Sequence, residues 1–257
     1  MVMGGIVPVV NVEGVAAGEL VLDGPTLAGI FLGAVKTWDD PAIKKLNPNA
    51  KLPSQAIAVV HRSDGSGTTE IFTKALTAFS PDWAAGGASS VEWPVDKAGN
   101  GVGGKGNQGV SAAVINTPNS IGYVEISFAK SNGLAFADMI NKAGQKVTAG
   151  ADSIAADMSD FAKAFDDKLT ATIVDGQSAG SWPITGYTYI ILHTTSMQDC
   201  TKASKLLEYI NWTLTDASAA DRASKLGYAV LPQAVREQVT AKLGEVTCNG
   251  QPVMSGQ

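Results

Sequence analysis

The apolar run AIAVV (56–60) passes without a break into HRSDGSGTTEIF (61–72), and this junction constrains the fold more than any other part of the chain. AIAVVH is apolar on both faces, as a central strand of a parallel sheet should be. The segment after the turn, TTEIFTKALTAF, repeats Phe72, Leu76 and Phe79 at helical spacing. A buried strand that enters an amphipathic helix through a two-glycine turn is a building unit of α/β proteins.

The alternation continues along the chain. GGIVPVVNV (4–12) reads as extended and ELVL (19–22) as a short strand running into DGPTLAGIFLG. In that segment Asp23 or Gly24 caps, Pro25 suits the first helical turn, Leu27, Ile30 and Phe31 form the buried stripe, and Gly33 stops the helix. KAGNGVGGKGNQG (97–109) reads as a flexible glycine-rich loop leading into VSAAVINT, and IGYVEISFA as a strand or a strand and turn. From about 130 to 180 the sequence is polar and weakly periodic. SWPITGYTYIILH (181–193) predicts a second long β-rich run, and three helical stretches follow, the last with Val235, Val239 and Leu243 on one face. Trp93 and Trp182, each beside a proline, read as packing residues.

A chain of 257 residues that is 45% hydrophobic can bury one large core or two modest ones. Its 19 Lys+Arg against 24 Asp+Glu leave a net charge of -5 with no basic run, which argues against a nucleic-acid partner. No apolar stretch approaches the roughly 20 residues that span a bilayer, and the opening MVMGGIVPVVNVEG has neither a basic n-region nor a small-residue cleavage site. Cys200 and Cys248 lie too far apart for metal-ligand pairs, and with only His61 and His193 available no zinc site is expected. The two cysteines form either a disulfide in an oxidising compartment or two buried free thiols.

The turn at 61–68 carries the chemistry. A helix that begins at the carboxyl end of a sheet strand presents unpaired N–H groups and the positive end of its dipole to whatever sits there. Gly65 and Gly67 let backbone approach closely, Ser66 and Thr68 add hydroxyl donors, and Arg62 supplies a planar fork suited to two oxygens of a tetrahedral oxyanion. Asp64 would repel an ionised anion, so its role is to pair with Arg62 and aim it. The plainer alternative is a helix cap at Ser66 and Thr68 beside a surface ion pair worth under about 1 kcal/mol.

Two catalytic patterns are weaker. GNGVGGKG (99–106) nearly fits the phosphate loop GxxxxGK[ST], but Gly106 replaces the magnesium-binding hydroxyl. Ser66, His61 and Asp64 hold the atoms of a hydrolase triad, with His193 as another base, but they lie on one tight turn and DGSGT is not the GxSxG elbow. A serine hydrolase or phosphatase using Ser66 is the alternative reading.

VVHRSDGSGTTEIFTKAL closely resembles the signature of the periplasmic phosphate-binding protein of ABC-type phosphate importers. LVLDGPTLAGIFLGAVKTWDDPAIKKLNP, WPVDKAGNGVGGKGNQGVSAAVINTPNSIGYVE and WPITGYTYIIL resemble further segments of that family, in its order. The resemblance implies an α/β, type II periplasmic-binding-protein (Venus-flytrap) fold that binds inorganic phosphate between two lobes and delivers it to a membrane permease. It implies Arg62, Ser66, Gly67 and Thr68 as phosphate ligands, supported by Asp64 and Gly65. No catalytic group, metal or cofactor is implied; the protein is expected to be exported to the periplasm or cell surface and monomeric when complete. A phosphate sensor without a transport role is a further reading.

The family normally begins with a secretion signal and a first-lobe segment ahead of a hinge strand similar to GGIVPVVN, where this chain starts. The resemblance therefore implies a first hinge strand at 1–12, a complete lobe at 13–182, and a returning strand with C-terminal helices of a partial lobe at 183–257. The segment not present carries a large share of the family's phosphate contacts, including the acidic acceptor for the phosphate proton. This chain alone is thus expected to bind phosphate weakly, to separate it poorly from sulfate, and to expose an apolar face.

Overall fold

The computed structural model describes residues 2–254. It opens with β1 (Val2–Asn11), then β2 (Val21–Asp23) and α1 (Gly24–Leu32). Asp23 caps α1 by accepting from the Thr26 N–H at 2.8 Å, Pro25 occupies the first turn, and Gly33 ends the helix at φ 73°. Leu27, Ile30 and Phe31 are fully buried, as their spacing predicts. Next come α2 (Pro41–Leu46), β3 (Ala58–Arg62), α3 (Gly67–Phe79), α4 (Pro94–Ala98), β4 (Gly101–Gly104) and α5 (Gly106–Asn116). β5 (Ser120–Glu125) and α6 (Ile126–Ser131) lead into the polar middle, which holds β6 (Ala135–Phe136), β7 (Asp138–Ile140), β8 (Lys146–Val147) and α7 (Ala151–Asp160). β9 (Thr185–Tyr187) precedes α8 (Cys200–Thr215), α9 (Ala217–Leu226), β10 (Ala229–Val230), α10 (Gln233–Gly244) and the hairpin of β11 (Thr247–Cys248) and β12 (Gln251–Pro252).

The main sheet runs β10-β1-β5-β3-β4, with β6 and β9 also pairing β1. β3 is central and parallel to both of its neighbours, which explains why it is apolar on both faces. β1 is antiparallel to every partner and changes partner midway: Met3–Gly5 face β9, whereas Ile6–Asn11 face β5. At the change the Ile6 N–H donates to the Ile184 carbonyl at 2.8 Å, and the Ile6 carbonyl accepts from the Trp182 indole at 3.0 Å, so the exchange leaves that peptide satisfied. Trp93 and Trp182 are both buried, as packing residues. β2, β7 and β8 form a separate small sheet.

Two segments differ from their sequence reading. The glycine-rich stretch 97–109 is ordered secondary structure rather than a loop: it holds the end of α4, all of β4 and the start of α5. Its glycines serve close packing, since a Cβ on Gly104 would lie 2.7 Å from the Val110 nitrogen. In 181–193 only Thr185–Tyr187 is strand. Beyond Tyr187 the β-branched run has no neighbouring strand among the described residues, where its pairing with β1 ends at Met3, and propensity without a partner does not make a ladder. Ile191 is consequently 95% exposed. Seven of the eight exposed large apolar side chains among the described residues lie between 189 and 226.

Cys200 and Cys248 are bridged, with Cα atoms 5.5 Å apart, which ties the start of α8 to β11. The bridge closes a sequence separation of 48 residues. Asp157 is the most deeply buried acid: it is fully buried on α7, accepts from the Gly176 N–H at 3.0 Å and bonds the Thr185 hydroxyl. That hydroxyl has one proton and also faces the Ile173 carbonyl at 2.7 Å. If Thr185 donates to the carbonyl, Asp157 must supply the proton between itself and Thr185. Burial pushes the Asp157 carboxyl up to about 7, with the nearby charges of Asp160 and Asp175 adding to the rise.

Removing the bridge with the paired Cys200→Ser and Cys248→Ser substitutions is expected to destabilise the fold by up to about 4 kcal/mol through loop entropy. Denaturant unfolding with and without reductant checks this, and identical midpoints would contradict it. The raised carboxyl of Asp157 gives a pH signature whose sign is fixed by linkage. Between the unfolded value of 3.8 and the folded value of about 7 the unfolded chain ionises while the native one stays protonated, so stability falls as pH rises through that window. Relative to Asp157→Asn, the wild type is expected to lose about 1.4 kcal/mol per pH unit there and to level off above it. Urea titrations of both proteins at acidic, neutral and alkaline pH measure the difference, and a constant offset would refute the assignment.

Candidate functional site

Strand alternation at the end of β3 sends its last two basic residues to opposite faces. His61 stacks on Trp93, with ring centroids 5.0 Å apart, and its Nε2 bonds Asp96 Oδ1 at 2.8 Å. It is 5% exposed and belongs to the packing beneath α4. Arg62 faces the other way, and its guanidinium donates to Asp64 through two parallel bonds, Nε to Oδ1 at 2.7 Å and Nη2 to Oδ2 at 2.8 Å. The sequence-predicted pair is therefore formed, in the bidentate geometry that fixes a guanidinium plane. The Arg62 side chain is only 10% exposed, and its Nη1 has no hydrogen-bond partner among the described residues.

Asp64 accepts a third bond, from the Gly106 N–H at the head of α5, at 3.1 Å. Its carboxyl is held well below the usual carboxylate range, first by the Arg62 guanidinium and then by that amide. At the opposite end of the turn Ser66 caps α3, its Oγ accepting from the Thr69 N–H at 3.1 Å while its own N–H donates to the Ser89 carbonyl at 2.8 Å. The Ser66 hydroxyl proton has no acceptor among the described residues. The amides of Gly67 and Thr68 and the Thr68 hydroxyl have no partner among the described residues. Three sequence-predicted ligand positions, 66, 67 and 68, thus present donors at the start of a 13-residue helix.

Gly65 and Gly67 take on meaning once the surroundings are known. A Cβ at either position would meet no protein atom within 4 Å, and neither glycine needs a left-handed backbone. The fold itself gives no reason for glycine at these two places. Behind the turn, Tyr123 locks strand to helix: its hydroxyl accepts from the Arg62 N–H at 3.2 Å and bonds Thr69 Oγ1 at 2.7 Å, and its ring stacks on Phe72 at 4.2 Å. Burial pushes that phenol up to about 12, which keeps it neutral beside the site.

The hydrolase pattern is not assembled. His61 is engaged with Asp96 on the far face, Asp64 with Arg62 and Gly106, His193 is exposed in a loop, and Ser66 is a helix cap. The phosphate-loop pattern fails as well, because the head of α5 is already bonded to a carboxylate. Sequence reasoning missed Gly106, Ser89 and Tyr123. Gly106 sits at φ 69°, a backbone that glycine adopts without strain, but its bond to Asp64 is set by chain 42 residues away and leaves no local mark in the sequence.

A profile of the PBP superfamily domain matches residues 1–217. The phosphate-binding protein PstS of Pasteurella multocida (strain Pm70) is 43% identical over 246 residues, covering 94% of this chain and 68% of that protein. PstS of Xylella fastidiosa (strain 9a5c) is 40% identical over 243 residues, covering 93% of this chain and 64% of that protein. Among solved structures, a high-affinity periplasmic phosphate-binding protein bound with phosphate is similar with a TM-score of 0.72 at 23% identity, over 93% of this chain and 69% of that one. The chain thus spans about two thirds of the length of these relatives. It has the type II periplasmic-binding-protein fold and belongs to the PstS family of phosphate-binding proteins.

Proposed function

We propose that this chain is the substrate-binding component of an ABC-type phosphate importer, holding inorganic phosphate at the head of α3 and handing it to a membrane permease. One observation supports the reading: Arg62, Gly67 and Thr68, on the two sides of one short turn, carry donors with no partner among the described residues, beside glycines that the fold does not need. Arg62 offers charge and its free edge, the two amides and the Thr68 and Ser66 hydroxyls offer hydrogen bonds, and Asp64 with Gly65 supports them. No bond needs to break, so the role asks for no catalytic group, metal or cofactor.

Release and capture follow from the strand that changes partner. In this reading residues 1–12 form the first hinge strand, 13–182 a complete lobe, and 183–257 the second hinge strand and helices of the other lobe. Small dihedral changes in β1 and near β9 open and close the cleft, and an anion held from both sides stabilises the closed form by its differential affinity. The permease recognises that closed form. A site outside the cytoplasm suits both the task and the Cys200–Cys248 bridge.

Arg62→Ala is expected to weaken phosphate binding by at least about tenfold, the cost of losing hydrogen bonds to a charged partner. Arg62→Lys should recover only part, since an ammonium lacks the fork. Isothermal calorimetry with inorganic phosphate reads both, and an unchanged affinity in Arg62→Ala would remove the proposed ligand set. Selectivity provides a second check. Tetrahedral dianions differ in whether they carry a proton to donate, and the two carboxylates flanking the donors are both engaged: Asp64 accepts three hydrogen bonds, and Glu70, in the first turn of α3, accepts from Lys74 at 2.7 Å. Phosphate and sulfate affinities of this chain are therefore expected to fall within about tenfold of each other; a much larger preference for phosphate would show that another acceptor reaches the anion.

A further inference from the structure

Helix α5 lacks a cap of its own, because Lys105 at its N-cap makes no side-chain bond to the first turn. The acceptor comes instead from the turn after β3, 42 residues away in sequence, where Asp64 Oδ1 takes the Gly106 N–H. Pairing of β3 with β4 brings the two together: Arg62 lies opposite Gly104, and the Ser63 N–H donates to the Gly104 carbonyl at 3.1 Å.

The charge count gives this contact a purpose. A guanidinium with a carboxylate on its Nε edge is electrically neutral as a pair, and a neutral pair is a poor host for a dianion. Each helix N-terminus contributes the equivalent of roughly half a positive charge, and the heads of α3 and α5 both lie at this turn. The head of α5 is directed at Asp64 and offsets part of its charge, so that Arg62 keeps more of its own for the cleft.

We infer that Gly106 is a positioning residue of the anion site: its amide holds Asp64 in the plane of Arg62 and leaves the free guanidinium edge and a net positive potential for a tetrahedral oxyanion. The glycine is required by backbone alone. Its φ is 69°, and a Cβ there would meet no protein atom within 4 Å, so a substitution acts through the left-handed conformation and not through a clash. The inference rests on the phosphate reading above.

The test uses the whole chain and inorganic phosphate. Gly106→Ala is expected to bind phosphate roughly five- to tenfold more weakly, and Gly106→Asn to lie between it and the wild type because asparagine tolerates the left-handed region better. The carbon resonance of the Asp64 carboxyl should titrate at higher pH in Gly106→Ala. In the unmodified protein the Gly106 amide proton should shift with the Asp64 midpoint, a readout that needs no variant to fold. Phosphate affinity equal to wild type in Gly106→Ala, in a protein whose Arg62→Ala variant binds poorly, would overturn the inference and leave the phosphate reading standing. So would a Gly106 amide that ignores Asp64 ionisation. Failure of the wild type to bind phosphate at all would instead remove the reading on which both depend.

Discussion

The pairing register of β3 decides what the site contains. His61 and Arg62 are adjacent, and a slip of one residue would exchange them, turning an imidazole toward Asp64 and burying a guanidinium against Trp93. The register is fixed from both sides, Val59 opposite Gly101 on β4 and opposite Ile121 on β5, with Val59 and Val60 fully buried. His61 adds a lock of its own by stacking on Trp93 and bonding Asp96. The residue that looked like a candidate base thus works as an anchor for its neighbour.

Two aspartates show how placement, not residue type, sets chemistry. Asp64 meets three N–H donors and stays ionised, while Asp157 is enclosed with a hydroxyl whose one proton faces a carbonyl, and burial raises its carboxyl. One sustains charge and fixes the plane of the Arg62 guanidinium. The other closes a polar chain where β9 meets β1.

What could be read from the sequence was local. The cap at Ser66, the Arg62–Asp64 fork and the bounds of α1 each depend on residues within a few positions, and all are formed. Tyr123 and Gly106 reach Arg62 and Asp64 from 61 and 42 residues away, and nothing in their own neighbourhoods announces the contact. The two misread segments share one cause. Glycine marks either a loose loop or a tight approach of helix to strand, and a β-branched run makes a strand only if another strand lies beside it; both choices are settled by distant chain. Family resemblance supplied what locality could not, by matching several segments in order.

Gly67 leaves a further consequence for anyone altering this protein. It stands in the first turn of α3 with open space beside it, where alanine would favour the helix by up to about 1 kcal/mol. Thermostabilising design guided by the fold alone would fill that position early. In the proposed function the same open space is where an oxyanion reaches bare backbone, so durability and recognition would compete there for one hydrogen atom.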